Sequence, residues 1–158
     1  MNELTAYRQE LLSALEGAVA ELSKTVATIP SSDWQFPYKL GAHTPHNTLA
    51  HLLALEAQVF STLLRRIVDE EHPLLPLFDE IAWTGNHYEP GRLPQAILEE
   101  FTHLRRQEVN WLRSLPPESW SRTARHPWWG VHTLQWWVEL QLDYSQQHFA
   151  ELAAYLVR

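Results

Sequence analysis

The run from Leu134 to Leu156, LQWWVELQLDYSQQHFAELAAYL, contains neither glycine nor proline, and Thr133 stands before it as a capping residue. Successive side chains turn about 100° on a helix, so Leu134, Trp137, Gln141, Tyr144 and His148 share one stripe at steps of three and four. A stripe of that kind must face an interior. A histidine within it needs a hydrogen bond, a charge partner or a metal, because an unsatisfied buried polar group costs about 1–3 kcal/mol. The rest of the chain can be searched for the partner of His148, and His51 is the best candidate.

Three further segments carry the same rhythm. In residues 2–27, Leu4, Tyr7, Leu11, Leu15, Val19, Leu22 and Val26 keep helical spacing, and Pro30 lies just past the end. Trp34, Phe36 and Tyr38 follow in a loop and are expected to lid one end of the fold. A second helix begins at Thr44-Pro45, where threonine caps and proline suits the first turn, and runs to about Val68. A third runs from Pro94 to about Leu115, with Ile97, Phe101, Leu104, Glu108, Trp111 and Leu115 inward, and Pro116-Pro117 ends it. Between the second and third lie residues 70–93, a connection long enough to cross from one end of a bundle to the other, which Trp83 and Tyr88 should pin to the body. No strand-like alternation of useful length is present. The fold expected is all-α: one four-helix bundle domain over residues 1–158, with a long crossover between helices two and three.

At 158 residues the chain suits one domain with a real core, and 45% apolar residues with eight tryptophans are a globular composition. The net charge of −7 comes without any block of Lys or Arg, which argues against a nucleic-acid backbone as partner. There is no cysteine, so disulfides, thiolate metal sites and a cysteine nucleophile are excluded, and any thiol chemistry must use an external thiol. The first residues, MNELTAYRQELL, are amphipathic and lack the apolar core of a signal peptide. No apolar run reaches the ~20 residues that span a bilayer. A soluble cytoplasmic protein without membrane contact is the expectation.

Spacing allows a shared metal without requiring one. Helix rise puts His51 roughly 10 Å from the start of helix two and His148 roughly 13 Å from the end of helix four. If these helices run antiparallel, the two imidazoles meet near one end of the bundle. A catalytic zinc usually takes three protein ligands and keeps one position open. The position one turn from His148 is Tyr144, a poor ligand beside histidine. Asp143 is chemically better but is turned about 140° away. The pair can equally be structural histidines. Glu56, amid the apolar face of helix two, is read either as a buried group near the site or as a boundary residue facing water. Glu108 is read as a boundary glutamate paired with Arg105, three residues before it. The other seven histidines are expected in loops, at the surface or in packing roles.

Several pieces together resemble the DinB-like (YfiT-like) four-helix bundle family. TPHNTLAHLLALE resembles its second-helix segment, with a histidine followed five residues later by a glutamate. LFDEIAW and the later Tyr88 resemble its crossover. LRRQEVNWLRSL, followed by Trp120, resembles its third helix. WWGVHTLQWW resembles the start of its last helix, and QHFAEL resembles the tail of its H–x–x–x–H motif. The likeness covers nearly the whole chain. It implies a divalent metal, often Ni or Zn, held by three histidines. His51 and His148 match two of these positions, and Tyr144 stands where the third histidine would be. It further implies metal-dependent transferase or isomerase chemistry on a small-molecule substrate, with a low-molecular-weight thiol such as bacillithiol or mycothiol, in a protein that is often a homodimer. Glu56 or Tyr144 would then be the catalytic candidates. Two other functions stay open: a non-catalytic bundle holding an apolar ligand near Trp128, Trp129, Trp136 and Trp137, and a structural or stress-related homodimer.

Overall fold

The structure, a computed structural model, describes residues 2–157; residues 1 and 158, the ends of the expected domain, lie outside them. Helix α1 spans Glu3–Thr28, and Asn2 caps it by accepting from the Thr5 N–H. The second rod is α2 (Pro45–Ala54), a π-helical stretch Leu55–Phe60 and α3 (Ser61–Asp69), joined without a break in helical backbone. Thr44 caps it on Asn47 N–H, as the Thr-Pro pair predicts. The π turn, where the Ser61 N–H reaches the Glu56 carbonyl, is not legible in the periodicity. It widens the inward face, so that Ala54, Leu55 and Glu56 are all buried.

The third rod, α5, spans Pro94–Ser114, and the fourth, α6, spans Leu134–Ala154 with Thr133 accepting from the Trp136 N–H. Two apolar clusters fix their directions. At one end Leu11, Leu12 and Leu15 pack with Leu63, Leu64 and Ile67, with Val109 and Leu112, and with Leu134, Trp137 and Val138. At the other end Val19, Leu22 and Val26 meet Leu49, Leu52 and Leu53, with Ile97 and Phe101, and with Leu152 and Tyr155. Thus α1 and α6 point one way and α2, α3 and α5 the other. Because the second and third rods are parallel, the chain between them must travel the length of the bundle. The long crossover is therefore a topological necessity.

That crossover contains a further helix, α4 (Glu80–His87), where the sequence predicts only a connection. Asp79 caps it on Ala82 N–H, but it buries no residue fully, so it carries little apolar signal. The Tyr88 hydroxyl donates to Nδ1 of buried His46 at 2.8 Å, while His46 Nε2–H donates to the Arg92 carbonyl at 2.6 Å. Tyr88 therefore pins the crossover as expected, and Trp83 lies half-buried, stacked on His87. In the lid loop Trp34 is buried, whereas Phe36 is largely exposed and does not close the end.

The absence of strands is corrected by a short hairpin before α6. β1 (Thr123–His126) pairs antiparallel with β2 (Gly130–Thr133), in the register Thr123↔Thr133 to His126↔Gly130. Four-residue strands are too short for alternation to register, and the Pro127–Gly130 turn that makes them possible reads only as loop. The Leu75 N–H donates to the Arg125 carbonyl and the Arg125 N–H to the Pro73 carbonyl, tying the hairpin to the crossover. Arg122 caps the end of α3 by donating to the carbonyls of Ile67 and Glu70. Among the described residues no helix is long and apolar enough to cross a membrane.

Between the two apolar clusters lies a polar layer. Glu56 and Arg105, each 1% exposed, form a buried ion pair. Gln141 donates to the other Glu56 oxygen at 2.7 Å, and Arg105 also donates to the Leu15 carbonyl at 3.0 Å and to Ser145 Oγ at 2.7 Å. One guanidinium thus links all four rods. This corrects the expected pairing of Glu108 with Arg105. The arginine finds acceptors on α1, the π turn and α6 that a neighbour on its own helix cannot match. Glu108 is itself buried, with Oε1 unpartnered. Burial, then the Glu56 charge, push its carboxyl up to about 8, against the opposing pull of Arg65, Arg105 and the Ser61 hydroxyl.

Candidate functional site

The antiparallel run of α2 and α6 brings His51 and His148 together, as the depth argument requires. Their ring centroids are 4.8 Å apart with planes inclined at 34°. His148 Nδ1–H donates to the Tyr144 carbonyl one turn back at 2.8 Å, which leaves Nε2 as the nitrogen free to ligate. His51 is partly buried, and burial first, then His148 and His43, push its pKa down to about 4 against the opposing charge of Glu151. His51 is therefore neutral at pH 7, the form in which imidazole binds metals.

A cavity of about 410 Å³ opens over this pair, lined also by His43, Asn47, Glu80 and Glu151. Glu80, in the first turn of α4, places Oε2 3.7 Å from His51 Nε2. With His51 neutral this is no ion pair, and 3.7 Å is too long for a direct hydrogen bond. The Glu80 side chain is half exposed. Glu151 follows His148 by three residues, so helical spacing alone would have found it. Glu80 could not be found that way, because only the path of the crossover brings it to the histidines.

Tyr144, the expected third ligand, does not line this cavity. It lines a neighbouring one of about 180 Å³, among Phe60, Phe78, Trp128, Trp129 and Trp137. Its ring stands 6.3 Å from His148 and nearly perpendicular to it. Burial first, then the carboxylates of Glu80 and Asp143, raise its pKa, so the phenol stays protonated. Asp143 is exposed, facing away as its spacing requires. Glu56 lines neither cavity, and both of its oxygens are held in the polar layer. Among the described residues Glu80 is the one that borders both cavities.

The donor set suits a divalent cation at two positions. Two imidazoles from separate rods face each other, one of them oriented by a carbonyl and the other held neutral. Among the described residues no three His, Cys, Asp or Glu side chains are already gathered for a metal ion. Glu80 and Glu151 are the carboxylates that line the same cavity.

The structure is similar to that of YfiT from Bacillus subtilis, described as a probable metal-dependent hydrolase with an unusual four-helix bundle topology. The TM-score is 0.86 at 22% identity, over 98% of this chain and 87% of the other. At that identity the likeness speaks for the fold. A search of curated proteins finds no match. A family model for the DinB superfamily matches residues 14–152, and with four antiparallel and parallel rods, a crossover and a histidine pair in place, the chain belongs to the DinB superfamily.

Proposed function

We propose that this protein is a divalent-metal-dependent enzyme acting on a small molecule, with His51 and His148 as ligands and Glu80 supplying the third donor in place of Tyr144. The observation that carries this reading is the meeting of two imidazoles from different rods, 4.8 Å apart, in a cavity that a carboxylate also enters. Two histidines and a carboxylate are a common donor set for zinc, nickel or iron. When bound, such an ion holds a thiol or a water in its anionic form at neutral pH.

The chain's own residues supply the rest. The Tyr144 carbonyl fixes the ring of His148, and desolvation keeps His51 ready to ligate. The absence of cysteine means that a sulfur nucleophile would come from a low-molecular-weight thiol, the co-substrate that the family resemblance points to. The aromatic cavity bordered by Glu80 would hold the electrophile beside the nucleophile. The description of YfiT as a probable hydrolase makes water the competing nucleophile. Glu56 has no part in the reaction, because its charge serves the Arg105 layer.

A second reading draws on the position of Tyr144, outside the histidine cavity. It is a bundle that keeps the ligand cavity and has given up the metal. The test is to purify the protein without an affinity tag, measure bound metal by mass spectrometry, and titrate zinc and nickel into wild type and His51→Ala. Stoichiometric binding weakened at least about tenfold by the substitution supports the enzyme. An affinity unchanged in His51→Ala leaves only the metal-free bundle.

A further inference from the structure

The aromatic cavity beside the histidine site has walls whose chemistry the metal reading does not use. Phe60 and Trp137, both buried, line it from the core. Phe78, Trp128, Trp129 and Tyr144 line it as well and keep part of their surface open to solvent. Trp128 is 76% exposed, an unusual position for so large an apolar side chain. The hairpin turn is held by His126, whose Nδ1 accepts the backbone N–H groups of Trp128 and Trp129 at 3.1 and 3.3 Å. The His126 ring also stacks on Trp129, with centroids 4.6 Å apart and planes inclined at 22°. That contact fixes the indole plane before any ligand arrives.

The charge around these rings has one sign. No Lys or Arg lines the cavity, and its one formal charge is the Glu80 carboxylate. His126 adds none, because burial holds its pKa below the ordinary 6.5 and leaves the ring neutral at pH 7. After burial, Glu80 is the group that most raises the pKa of Tyr144, so its field reaches that ring. The face of an aromatic ring is itself negative, through its quadrupole. Trp129 and Tyr144 stand with centroids 6.4 Å apart and planes inclined at 48°. A cation resting against both lies within the ~6 Å of each centroid over which cation–π attraction acts.

We infer that this cavity binds the alkylated ammonium group of a small organic cation, seated against Trp128, Trp129 and Tyr144 with Glu80 as its counter-charge. Size permits it. The space is about 180 Å³, and ~150 Å³ takes up benzene, which has more heavy atoms than a trimethylammonium group. A neutral apolar occupant would strip water from the Glu80 carboxylate with nothing in return, and an anion would be repelled. A primary ammonium would bring its N–H donors to walls that are mostly carbon, whereas a quaternary nitrogen has none to satisfy. The inference goes beyond the metal reading. The cavity is complete without an ion, and a metal at the histidines would draw on the same carboxylate. Metal-free protein is therefore the form that should take the cation best.

The experiment is calorimetric titration of chelator-treated, metal-free protein with choline, with its neutral isostere (a tert-butyl group in place of trimethylammonium) and with ethanolamine. Choline should bind at least about fivefold more tightly than the isostere, whose shape is the same, and more tightly than ethanolamine. Glu80→Gln removes the charge from a half-exposed side chain and keeps its shape, so the variant should fold. It should weaken choline binding at least about threefold and leave the isostere within about twofold. Trp129→Leu should remove most of the preference for choline that remains. If that variant does not fold, Trp128→Leu, at the more exposed position, takes its place. An isostere that binds as tightly as choline would leave a merely apolar cavity and overturn the inference. So would a choline affinity unchanged in Glu80→Gln, or no binding of choline at millimolar concentration. Since no metal is present, none of these outcomes bears on whether His51 and His148 hold one.

Discussion

Tyr144 and His148 stand one helical turn apart and are joined through the Tyr144 carbonyl, yet their side chains enter different cavities. A shared stripe on a helix is about 100° wide. That is broad enough for two neighbouring cavities to divide it, and here the crossover helix α4 comes down between them with Glu80.

The proposed metal set draws on that division. Glu80→Ala should weaken zinc or nickel binding at least about tenfold, in the range of lost ligands and their supports. Tyr144→Phe should leave it within about twofold. Competition against a chromophoric chelator measures both. The reverse order would return the third position to the tyrosine.

Arg105 holds four rods together through one buried guanidinium. Arg105→Met should cost about 3–5 kcal/mol in urea unfolding, because it strands the Glu56 charge in the interior. The double variant Arg105→Met, Glu56→Leu should recover a large part of that loss, since no charge is then left without a partner. A double variant as unstable as the single one would mean that packing volume, and not charge, sets the cost.

Glu108 gives the fold a pH dependence of unusual sign for a carboxylate. Its folded pKa is raised to about 8 from the ordinary 4.5, with Glu56, Arg65 and Arg105 as the charged groups facing it. The native state therefore binds a proton that the unfolded state releases. The stabilising contribution is full below pH 4.5 and is lost as the pH rises through about 8. Glu108→Gln, which stays neutral, should flatten the fall in urea midpoint across that window. A wild-type midpoint that rises from pH 5 to 8, with the variant parallel to it, would remove Glu108 as its source.

Gly130 opens β2 with φ of +77°, and a Cβ there would meet nothing within 4 Å. The cost of Gly130→Ala is thus purely conformational, about 1–2 kcal/mol. It should be accompanied by a change in tryptophan fluorescence, because Trp128 and Trp129 ride on this turn. Thermal unfolding and emission spectra of the variant test the two effects together.

The four rods were readable from sequence because each must bury one face. Of the residues read as inward, Leu11, Leu15, Leu22, Ile97, Phe101, Leu134 and Trp137 are core, whereas Leu104, Trp111 and Leu115 are half-buried and Leu4 and Tyr7 are exposed. Caps at Thr44 and Thr133 marked two of the starts through local hydrogen bonds, which nearby residues alone decide. The meeting of His51 and His148 was readable as a possibility, conditional on helix direction. Direction itself came from the tertiary fold, where the two apolar clusters align the ends of the rods. Also decided there were the π turn, the choice of Glu56 over Glu108 by Arg105, and the arrival of Glu80 at the histidines. Arg105 meets Glu56 from 49 residues away in the chain, Glu80 reaches the histidines only by the path of the crossover, and periodicity reports only which way a side chain faces, not what it finds there.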